Sequence, residues 1–185
     1  MLVLFPKVMD KYIYKKRKAL NGDQCKFVIN YFNKNASTGR IDSARNYTAV
    51  GINLNTSNEW NWLRNNIANG LNEYVERHES IQNLYFNWNI DAGCNIQKYN
   101  PGDAYSGEHM EHGPSYTVCR RVLGWMIYLN TIKHKGGTCW PQQKFTSKPR
   151  EGDLYIWPAG WTHTHYGIAA PKECKYIITG WCSYD

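Results

Sequence analysis

The sequence predicts a mainly β protein, a sandwich or barrel, with α-helices packed on one outer face. Three observations support this fold class. Aromatic residues make up 15% of the chain, with 8 Trp and 14 Tyr, which suits pleated sheets better than a helical bundle. The second half contains short aromatic or β-branched runs separated by turn residues. The first half contains two segments whose apolar residues have helical spacing.

Two helices are predicted in the first half. The segment GDQCKFVINYFNKN has Asp23 as its predicted N-cap. Its apolar residues recur at helical spacing: Phe27, Val28, Tyr31 and Phe32. The segment SNEWNWLRNNIANGLNEYVERH begins near Ser57 and carries one apolar stripe: Trp60, Leu63, Ile67, Leu71 and Val75. Both stripes are expected to face the core.

Four strands are predicted after about Tyr85. NIQKY precedes the turn NPGD, RVLGWMIYLN precedes KHKGGT, DLYIWP precedes AGW, and KYIITGW lies near the C-terminus. The glycines of KHKGGT and the Pro-Ala-Gly of WPAGW are typical of turns and strand entries. This spacing is that of a sandwich or barrel, and a length of 185 residues fits one domain.

The chain is basic, with 22 Lys and Arg against 15 Asp and Glu and a net charge of +7. Five basic residues lie between Lys11 and Leu20. Such an excess can serve contact with nucleic acid, an acidic partner or an anionic substrate. One short stretch does not make a binding groove, however, so a solvated face is the stronger expectation.

Neither a membrane span nor a secretory signal is expected. No segment approaches the roughly 18 apolar residues that cross a bilayer, and MLVLFPKVMDKY lacks the pattern of a signal peptide. The six cysteines form no C-x-x-C pair. We therefore expect reduced, mostly buried thiols in a cytoplasmic protein without a membrane partner.

Two pairs of polar residues at i, i+2 indicate a metal site. WTHTHYG contains His163 and His165, and GEHMEHGP contains His109 and Glu111. On a strand the members of each pair would point to one side. Alone, H-x-E is a common tripeptide of polar surfaces. Two histidines and a carboxylate from distant segments suit a non-heme Fe(II) oxygenase, although a zinc hydrolase uses the same ligand types.

The strand CKYIITGW would place Lys175, Ile177, Thr179 and Trp181 on one face. A lysine that points inward is costly unless it meets an anion. Lys175 and Thr179 would then clamp a carboxylate. The pattern fits equally a Lys175 that faces solvent beside a Thr179 that only packs.

Five segments, in sequence order, resemble those of a known family: YNPGDAYSGEHMEH, RRVLGWMIYLN, KGGTCWP, KPREGDLYIWPAGWTHTHYG and KYIITGW. The family is the 2-oxoglutarate and Fe(II)-dependent dioxygenases, and within it the prolyl 4-hydroxylase-like group. The resemblance covers about half of the chain, from Cys94 to Trp181. The motif here is H-x-E, whereas the family more often has Asp at the last position. In this respect the sequence resembles short bacterial and marine-viral relatives.

The resemblance implies a double-stranded β-helix, or jelly-roll, core flanked by N-terminal α-helices. We expect residues 1–185 to form a single domain. Residues 1–84 would be a helical and strand support region, and residues 85–185 the catalytic core.

The resemblance also implies a ligand set. His109 and Glu111 match the first two iron ligands of the family. His165 lies ten residues before Lys175, within the family's spacing between the distal ligand and the basic residue, whereas His163 lies twelve residues before it. His165 is therefore the expected third ligand, and His163 is expected beside it or on the substrate side.

The remaining site residues follow from the same resemblance. Lys175 matches the residue that binds the far carboxylate of 2-oxoglutarate, and Thr179 matches its hydroxyl partner. Tyr99 and Tyr128 match tyrosines that contact this co-substrate, and Trp181 matches a tryptophan of its pocket.

Arg121 matches an arginine on the substrate side and is the expected catalytic-site residue, although the adjacent Arg120 could exchange roles with it. Gly124 stands where the family usually has threonine, so a hydroxyl contact of that strand is missing. His112 is out of phase with the ligand pair and is expected to be a bystander.

The implied reaction is hydroxylation of a C–H bond with Fe(II), 2-oxoglutarate and O2, and ascorbate is a further candidate cofactor. The motifs most resemble enzymes that convert peptidyl-proline to 4-hydroxyproline with release of succinate and CO2. The expected partner is a proline-containing protein or peptide, in the cytoplasm, or the host cytoplasm for a viral protein.

Two alternatives remain. The basic excess would favour the same chemistry on nucleic acid or on another side chain. A non-catalytic jelly-roll binding module is the other alternative, and the retention of all three ligands together with Lys175 argues against it.

Overall fold

The computed structural model describes residues 12–42, 46–56, 58–82 and 87–185. Its helices are α1 (Gly22–Asn35), α2 (Asn61–Glu76), α3 (Glu79–Gln82) and α4 (Tyr116–Cys119). Its strands are β1 (Tyr14–Lys16), β2 (Arg40–Asp42), β3 (Tyr47–Asn53), β4 (Trp88–Ile90), β5 (Gly93–Tyr99), β6 (Arg121–Tyr128), β7 (Thr138–Trp140), β8 (Phe145–Thr146), β9 (Leu154–Pro158), β10 (Tyr166–Gly167) and β11 (Lys175–Tyr184).

Some of the sequence predictions fall on residues outside this described part. They include residues 1–11 of MLVLFPKVMDKY, Lys11 at the start of the basic stretch, Ser57 at the predicted start of the second helix, and Tyr85 at the predicted start of the strand-rich half.

Two antiparallel sheets form the body of the protein. The large sheet has eight strands in the order β1-β9-β6-β11-β5-β3-β2, with β4 paired to β11 off this path. The small sheet has three strands in the order β10-β7-β8. The four strands predicted in the second half are confirmed as four consecutive strands of the large sheet, in the order β9-β6-β11-β5.

The first half contributes strands as well as helices. The apolar spacing predicted only helices there, whereas the expected support region of residues 1–84 also included strands, and β3 pairs with β5 over six residues, with Val50 opposite Ile96. Its sequence YTAVGIN contains the aromatic and β-branched residues typical of strands. β1 and β2 extend the two ends of the same sheet.

Helix α1 begins two residues earlier than predicted. Its N-cap is Asn21 and not Asp23. The Asn21 side chain accepts a hydrogen bond from the Gln24 backbone N–H at 2.8 Å, and the Gln24 side chain accepts one from the Asn21 N–H at 2.9 Å. This capping box satisfies two backbone donors, while Asp23 in the first turn favours the helix dipole.

Helix α2 carries the predicted apolar stripe. Leu63, Ile67 and Leu71 are buried, but Tyr74 rather than Val75 completes the buried face. Among the described helices, none combines the length and the apolar character that a bilayer crossing requires.

The large sheet separates two cores. The helices pack on one face of the sheet, against Trp125 and Ile127 of β6 and Ile178 of β11. Residues one position along each strand, such as Met126 and Ile177, face the small sheet instead. Side chains alternate along a strand, so Lys175, Thr179 and Trp181 lie on the same face as Ile177, which is the face toward the small sheet.

The thiols are buried only in part. Cys25, Cys94 and Cys182 lie in the helix-side core, as expected. Cys119 is exposed, and Cys139 and Cys174 are half-buried.

Gly180→Ala should destabilise the fold from the helix side of the sheet. A β-carbon at Gly180 would lie 2.5 Å from Trp125 Cζ2 and 3.0 Å from Cys94 Cβ, both buried. We expect a loss of about 1–3 kcal/mol in the free energy of unfolding, measured by chemical denaturation. Gly93→Ala is the matched control, because no atom lies within 4 Å of its β-carbon position. Equal stabilities of the two variants would contradict this packing.

Candidate metal centre

Three side chains from distant parts of the chain meet between the two sheets. His109, Glu111 and His165 each offer one ligand atom, and these atoms lie within 4.8 Å of one another. His165 Nε2 is 3.2 Å from Glu111 Oε1, and the two imidazole rings are 4.4 Å apart between centroids. Two nitrogens and one carboxylate oxygen at this spacing can bind a single divalent metal ion. The structure thus brings together the three predicted ligands.

The backbone that holds the ligands is not a regular strand, although the i, i+2 spacing of the ligand pairs suggested one. His109 and His165 form an isolated antiparallel bridge, with N–H to O distances of 3.0 and 2.8 Å. The Glu111 N–H donates to the Ala159 carbonyl at 3.0 Å. His163 ends a short 3-10 turn, Trp161–His163, so the assumption that it shares a strand face with His165 is wrong.

Backbone carbonyls orient the two histidine rings. His165 Nδ1 donates to the His163 carbonyl at 3.0 Å, and His109 Nδ1 donates to the Gly107 carbonyl at 2.9 Å. Since a carbonyl only accepts, each Nδ1 carries a proton and Nε2 is the nitrogen left for a metal, which would displace any proton bound there. His163 therefore acts on His165 through its main chain.

The Glu111 carboxylate is buried and held at both oxygens. Oε1 faces His165, and Oε2 accepts a hydrogen bond from Trp181 Nε1 at 2.5 Å. Burial alone would raise the pKa of Glu111, but the hydrogen bonds from His165 and Trp181 and the charge of His109 lower it below its usual value. The carboxylate is therefore ionised, as a metal ligand must be.

Arg121, and not Arg120, lies in the site. Its Nη1 is 3.2 Å from the Glu111 carbonyl and 3.9 Å from the Glu111 carboxylate. Its guanidinium lies 3.6 Å from the centre of the Trp181 ring, where a cation is attracted to the indole face. Burial lowers the pKa of Arg121. Arg120 instead donates to the Tyr184 carbonyl.

A cavity of about 340 Å³ extends from the candidate ligands into the space between the sheets. Five of the predicted non-metal site residues line it: Tyr99, Arg121, Lys175, Thr179 and Trp181. Tyr128 does not. Its hydroxyl is fully buried and bonded to Ser147 Oγ at 2.7 Å and Thr138 Oγ1 at 3.2 Å, and burial raises its pKa to about 12. Tyr128 thus lies behind Thr138, which does line the cavity.

Lys175 faces inward and is 3% exposed. Its Nζ lies 3.5 Å from the Ile168 carbonyl and 4.5 Å from the centre of the Tyr99 ring. No carboxylate of the described chain lies within ion-pair distance, and burial lowers its pKa to about 8. A buried ammonium without an anion is costly, so this end of the cavity suits a carboxylate ligand.

Thr179 and Tyr99 line the same cavity as this ammonium, with their hydroxyls engaged. Thr179 Oγ1 donates to the Trp125 carbonyl at 2.8 Å, which leaves its oxygen lone pairs toward the cavity. Tyr99 lies opposite Lys175 in the sheet and donates to Gln97 Oε1 at 2.8 Å.

Several residues of the site were not identified from the sequence. Tyr105 stacks on His109 with ring centroids 4.0 Å apart, and Trp157 packs edge-on against His165 at 5.0 Å. Trp157 lies in the predicted strand DLYIWP, where alternation from Tyr155 could have indicated its side. Tyr105 lies in a loop without periodicity. His112, expected to be a bystander, lines the cavity and contacts the Arg121 carbonyl.

No protein-family model and no curated protein matches the sequence. Solved structures do match the fold. A viral collagen prolyl hydroxylase from Paramecium bursaria Chlorella virus-1, in complex with 2-oxoglutarate, has a TM-score of 0.72 at 20% identity and covers 95% of this chain and 98% of its own.

Two further solved structures are similar. A Pseudomonas putida prolyl-4-hydroxylase has a TM-score of 0.72 at 14% identity, covering 94% of this chain and 93% of its own. A Trichoplax adhaerens prolyl hydroxylase, bound to a peptide fragment of the hypoxia inducible factor oxygen degradation domain, has a TM-score of 0.68 at 15% identity, covering 94% and 84%. The predicted double-stranded β-helix fold is confirmed, as two facing sheets rather than a closed barrel.

Lys175→Met should stabilise the ligand-free protein. The fall of the Lys175 pKa from 10.5 to about 8 corresponds to roughly 3 kcal/mol lost by burying the ammonium. At low pH Lys175 is protonated in the folded and the unfolded protein alike, so the full cost of burying the ammonium lowers the stability of the folded state. Above pH 8 the folded state loses the proton first, so the wild type gains stability relative to the variant until about pH 10.5.

Chemical denaturation at several pH values measures this difference. The advantage of Lys175→Met should be largest below pH 8 and should shrink as the pH rises through 8 to 10. Lys172→Met, at an exposed lysine, is the control and should show no such trend. A pH-independent advantage, or none, would show that the Lys175 ammonium is not desolvated.

Proposed function

We propose that the protein is an Fe(II)- and 2-oxoglutarate-dependent dioxygenase that converts peptidyl-proline to 4-hydroxyproline with release of succinate and CO2. One observation carries the proposal: a buried ammonium that pairs with no carboxylate of the described residues lies in the same cavity as a His-Glu-His cluster. A zinc hydrolase would need the His-Glu-His cluster but not the buried ammonium. A ligand that binds a metal at one end and carries a carboxylate at the other needs both the cluster and the ammonium.

The side chains present fit a resident Fe(II). His109, Glu111 and His165 supply two neutral nitrogens and one anionic oxygen, which leaves positions for a co-substrate and O2. Fe(II) bound there would supply the redox chemistry that couples decarboxylation of 2-oxoglutarate to hydroxylation of the substrate. The His163 and Gly107 carbonyls hold the histidine rings in place.

The rest of the cavity would orient 2-oxoglutarate. Lys175 would pair with its far carboxylate beside the Tyr99 ring, and Thr179 lines the cavity further along β11, toward Trp181. The pairing would return the Lys175 pKa toward its ordinary value, since an anion favours the charged form. Trp157 and Met126 provide apolar walls that limit the access of water.

The substrate class is supported by exposed apolar side chains on the segments that carry or flank the ligands. They are Met110 at 41%, Tyr116 at 76% and Trp161 at 71%, and Met110 also lines the cavity. Exposed aromatic side chains suit proline-rich peptides in the extended polyproline conformation. The similar solved structures are prolyl hydroxylases, one of them with a peptide fragment bound.

Nucleic acid is the weaker substrate candidate. Six basic side chains line a second groove, of about 1110 Å³: Arg17, Lys18, Lys133, Lys135, Lys148 and Arg150. This groove shares no lining residue with the cavity of the candidate ligands. These six basic side chains therefore lie outside the cavity in which a phosphate backbone would have to meet the metal.

The binding-module alternative is opposed by the orientation of the ligands. A module without catalysis would not need both Nε2 atoms directed at a buried carboxylate. A role of ascorbate remains a part of the proposal that follows from the sequence resemblance, and a cytoplasmic location remains one that follows from the expected reduced thiols.

Turnover of 2-oxoglutarate tests the enzyme and its ligands together. Wild-type protein with Fe(II) should produce succinate, and mass spectrometry of proline-rich peptides should show the added mass of one oxygen atom on proline. His165→Ala should lower both by at least about 100-fold, because the loss of a ligand weakens the metal. His134→Ala, at an exposed histidine outside the cavity, is the matched control.

The outcomes separate the parts of the proposal. Succinate production that survives His165→Ala would contradict the ligand assignment. A wild-type protein that never consumes 2-oxoglutarate would contradict the enzyme. Consumption of 2-oxoglutarate while the peptides stay unmodified would support the dioxygenase chemistry and exclude proline as the substrate.

A further inference from the structure

Gln97 is a buried amide on the wall of the cavity. It lies on β5, two residues before Tyr99, so the two side chains share one face of the sheet. Gln97 is 8% exposed and lines the cavity that holds the candidate ligands. A buried amide is costly unless its donors and its acceptor find partners, so the partners of Gln97 show what the cavity can bind.

One end of this amide has a partner in the described part of the chain, and the other end has none. Gln97 Oε1 accepts a hydrogen bond from the Tyr99 hydroxyl at 2.8 Å. Gln97 Nε2 makes no hydrogen bond with the residues that the structure describes. The proton of the Tyr99 hydroxyl is thus used by Gln97, and the free donor of the pair is the amide nitrogen.

Gln97 is a diagonal neighbour of the Lys175 ammonium in the sheet. Tyr99 lies directly opposite Lys175, which places Gln97 one step along β5 on the same face. Diagonal neighbours are about 7–8 Å apart, within reach of long side chains. Both side chains also contact Tyr99, because Lys175 Nζ lies 4.5 Å from the ring centre and Gln97 binds the hydroxyl. A charged donor and a neutral donor therefore flank one tyrosine inside the cavity.

We infer that Gln97 is a further co-substrate-binding residue, whose Nε2 donates to the far carboxylate of 2-oxoglutarate while Lys175 binds the same group. Tyr99 is then a positioning residue, whose hydroxyl holds the amide with its nitrogen available instead of donating to the co-substrate itself. A carboxylate has two oxygens and accepts several hydrogen bonds, so one ammonium and one amide can share it. The inference deepens the proposed function and rests on it.

The placement of Gln97 next to Lys175 can be tested without any ligand. Gln97→Glu keeps the shape of the side chain and puts a carboxylate within reach of the ammonium. Lys175→Met, which is expected to stabilise the wild type, should destabilise Gln97→Glu, because the new carboxylate would stay buried without a partner. Chemical denaturation of the metal-free proteins at pH 7 measures both effects. The same effect of Lys175→Met in both backgrounds would contradict the placement.

Binding of 2-oxoglutarate to the Mn(II)-loaded protein, measured by calorimetry without turnover, tests the donor. Gln97→Met, of similar size but without a donor, should weaken binding about tenfold, because a hydrogen bond to a charged group is lost. Gln97→Glu should weaken it further, since its carboxylate competes for Lys175. Tyr99→Phe should weaken binding about threefold or less, and should have no effect in the Gln97→Met background, because the hydroxyl acts through the amide.

Asn95→Leu is the matched control for removal of an amide from the cavity wall. Asn95 lies on the same strand and face as Gln97 but one step further from Lys175, opposite Thr179. Its loss should weaken 2-oxoglutarate binding less than Gln97→Met does. The affinity for Mn(II) alone should stay at the wild-type value in the Gln97 variants, because Gln97 is not one of the candidate ligands. Gln97→Leu takes the place of Gln97→Met if the latter does not fold.

The outcomes separate this inference from the proposed function. Wild-type affinity for 2-oxoglutarate in Gln97→Met, or a larger loss in Tyr99→Phe or Asn95→Leu than in Gln97→Met, would overturn the inference alone. A wild-type protein that binds no 2-oxoglutarate would overturn the proposed function, and this inference with it.

Discussion

The buried carboxylate of Glu111 is the charge around which the site is arranged. A buried carboxylate is stable only where hydrogen bonds and positive groups replace water. Its oxygens meet His165 and Trp181, and its main chain is fixed to Ala159 at the end of β9. Three segments that are far apart in sequence must therefore be in register before this one carboxylate is satisfied.

A second buried charge faces the same cavity without touching the first. Lys175 has no anion among the described residues, and its burial opposes folding. A natural protein keeps such a group where function requires it, at some cost in stability. A negative group at one end of the cavity and a positive group at the other match a metal-bound ligand with a free carboxylate.

The sequence was informative wherever period-two alternation applied. It placed β5, β6, β9 and β11, and it put Lys175, Thr179 and Trp181 on one face, because a strand fixes the side of each residue. Family spacing from Lys175 then separated His165 from His163. The isolated bridge, the turn at His163 and the stacking of Tyr105 on His109 depend on contacts between loops, which leave no periodic signal. The family motif predicted that Tyr128 contacts the co-substrate, but Tyr128 lies behind the cavity. Alternation along a strand predicts which face of the sheet a side chain is on, but not whether that side chain reaches the cavity.

Binding of 2-oxoglutarate to metal-free and Mn(II)-loaded protein tests most directly whether the two buried charges serve one ligand. The account predicts that Mn(II) strengthens 2-oxoglutarate binding by at least about tenfold, and that 2-oxoglutarate strengthens Mn(II) binding by the same factor, because the coupling is reciprocal. Equal affinity with and without Mn(II), or no binding of 2-oxoglutarate in either state, would contradict it.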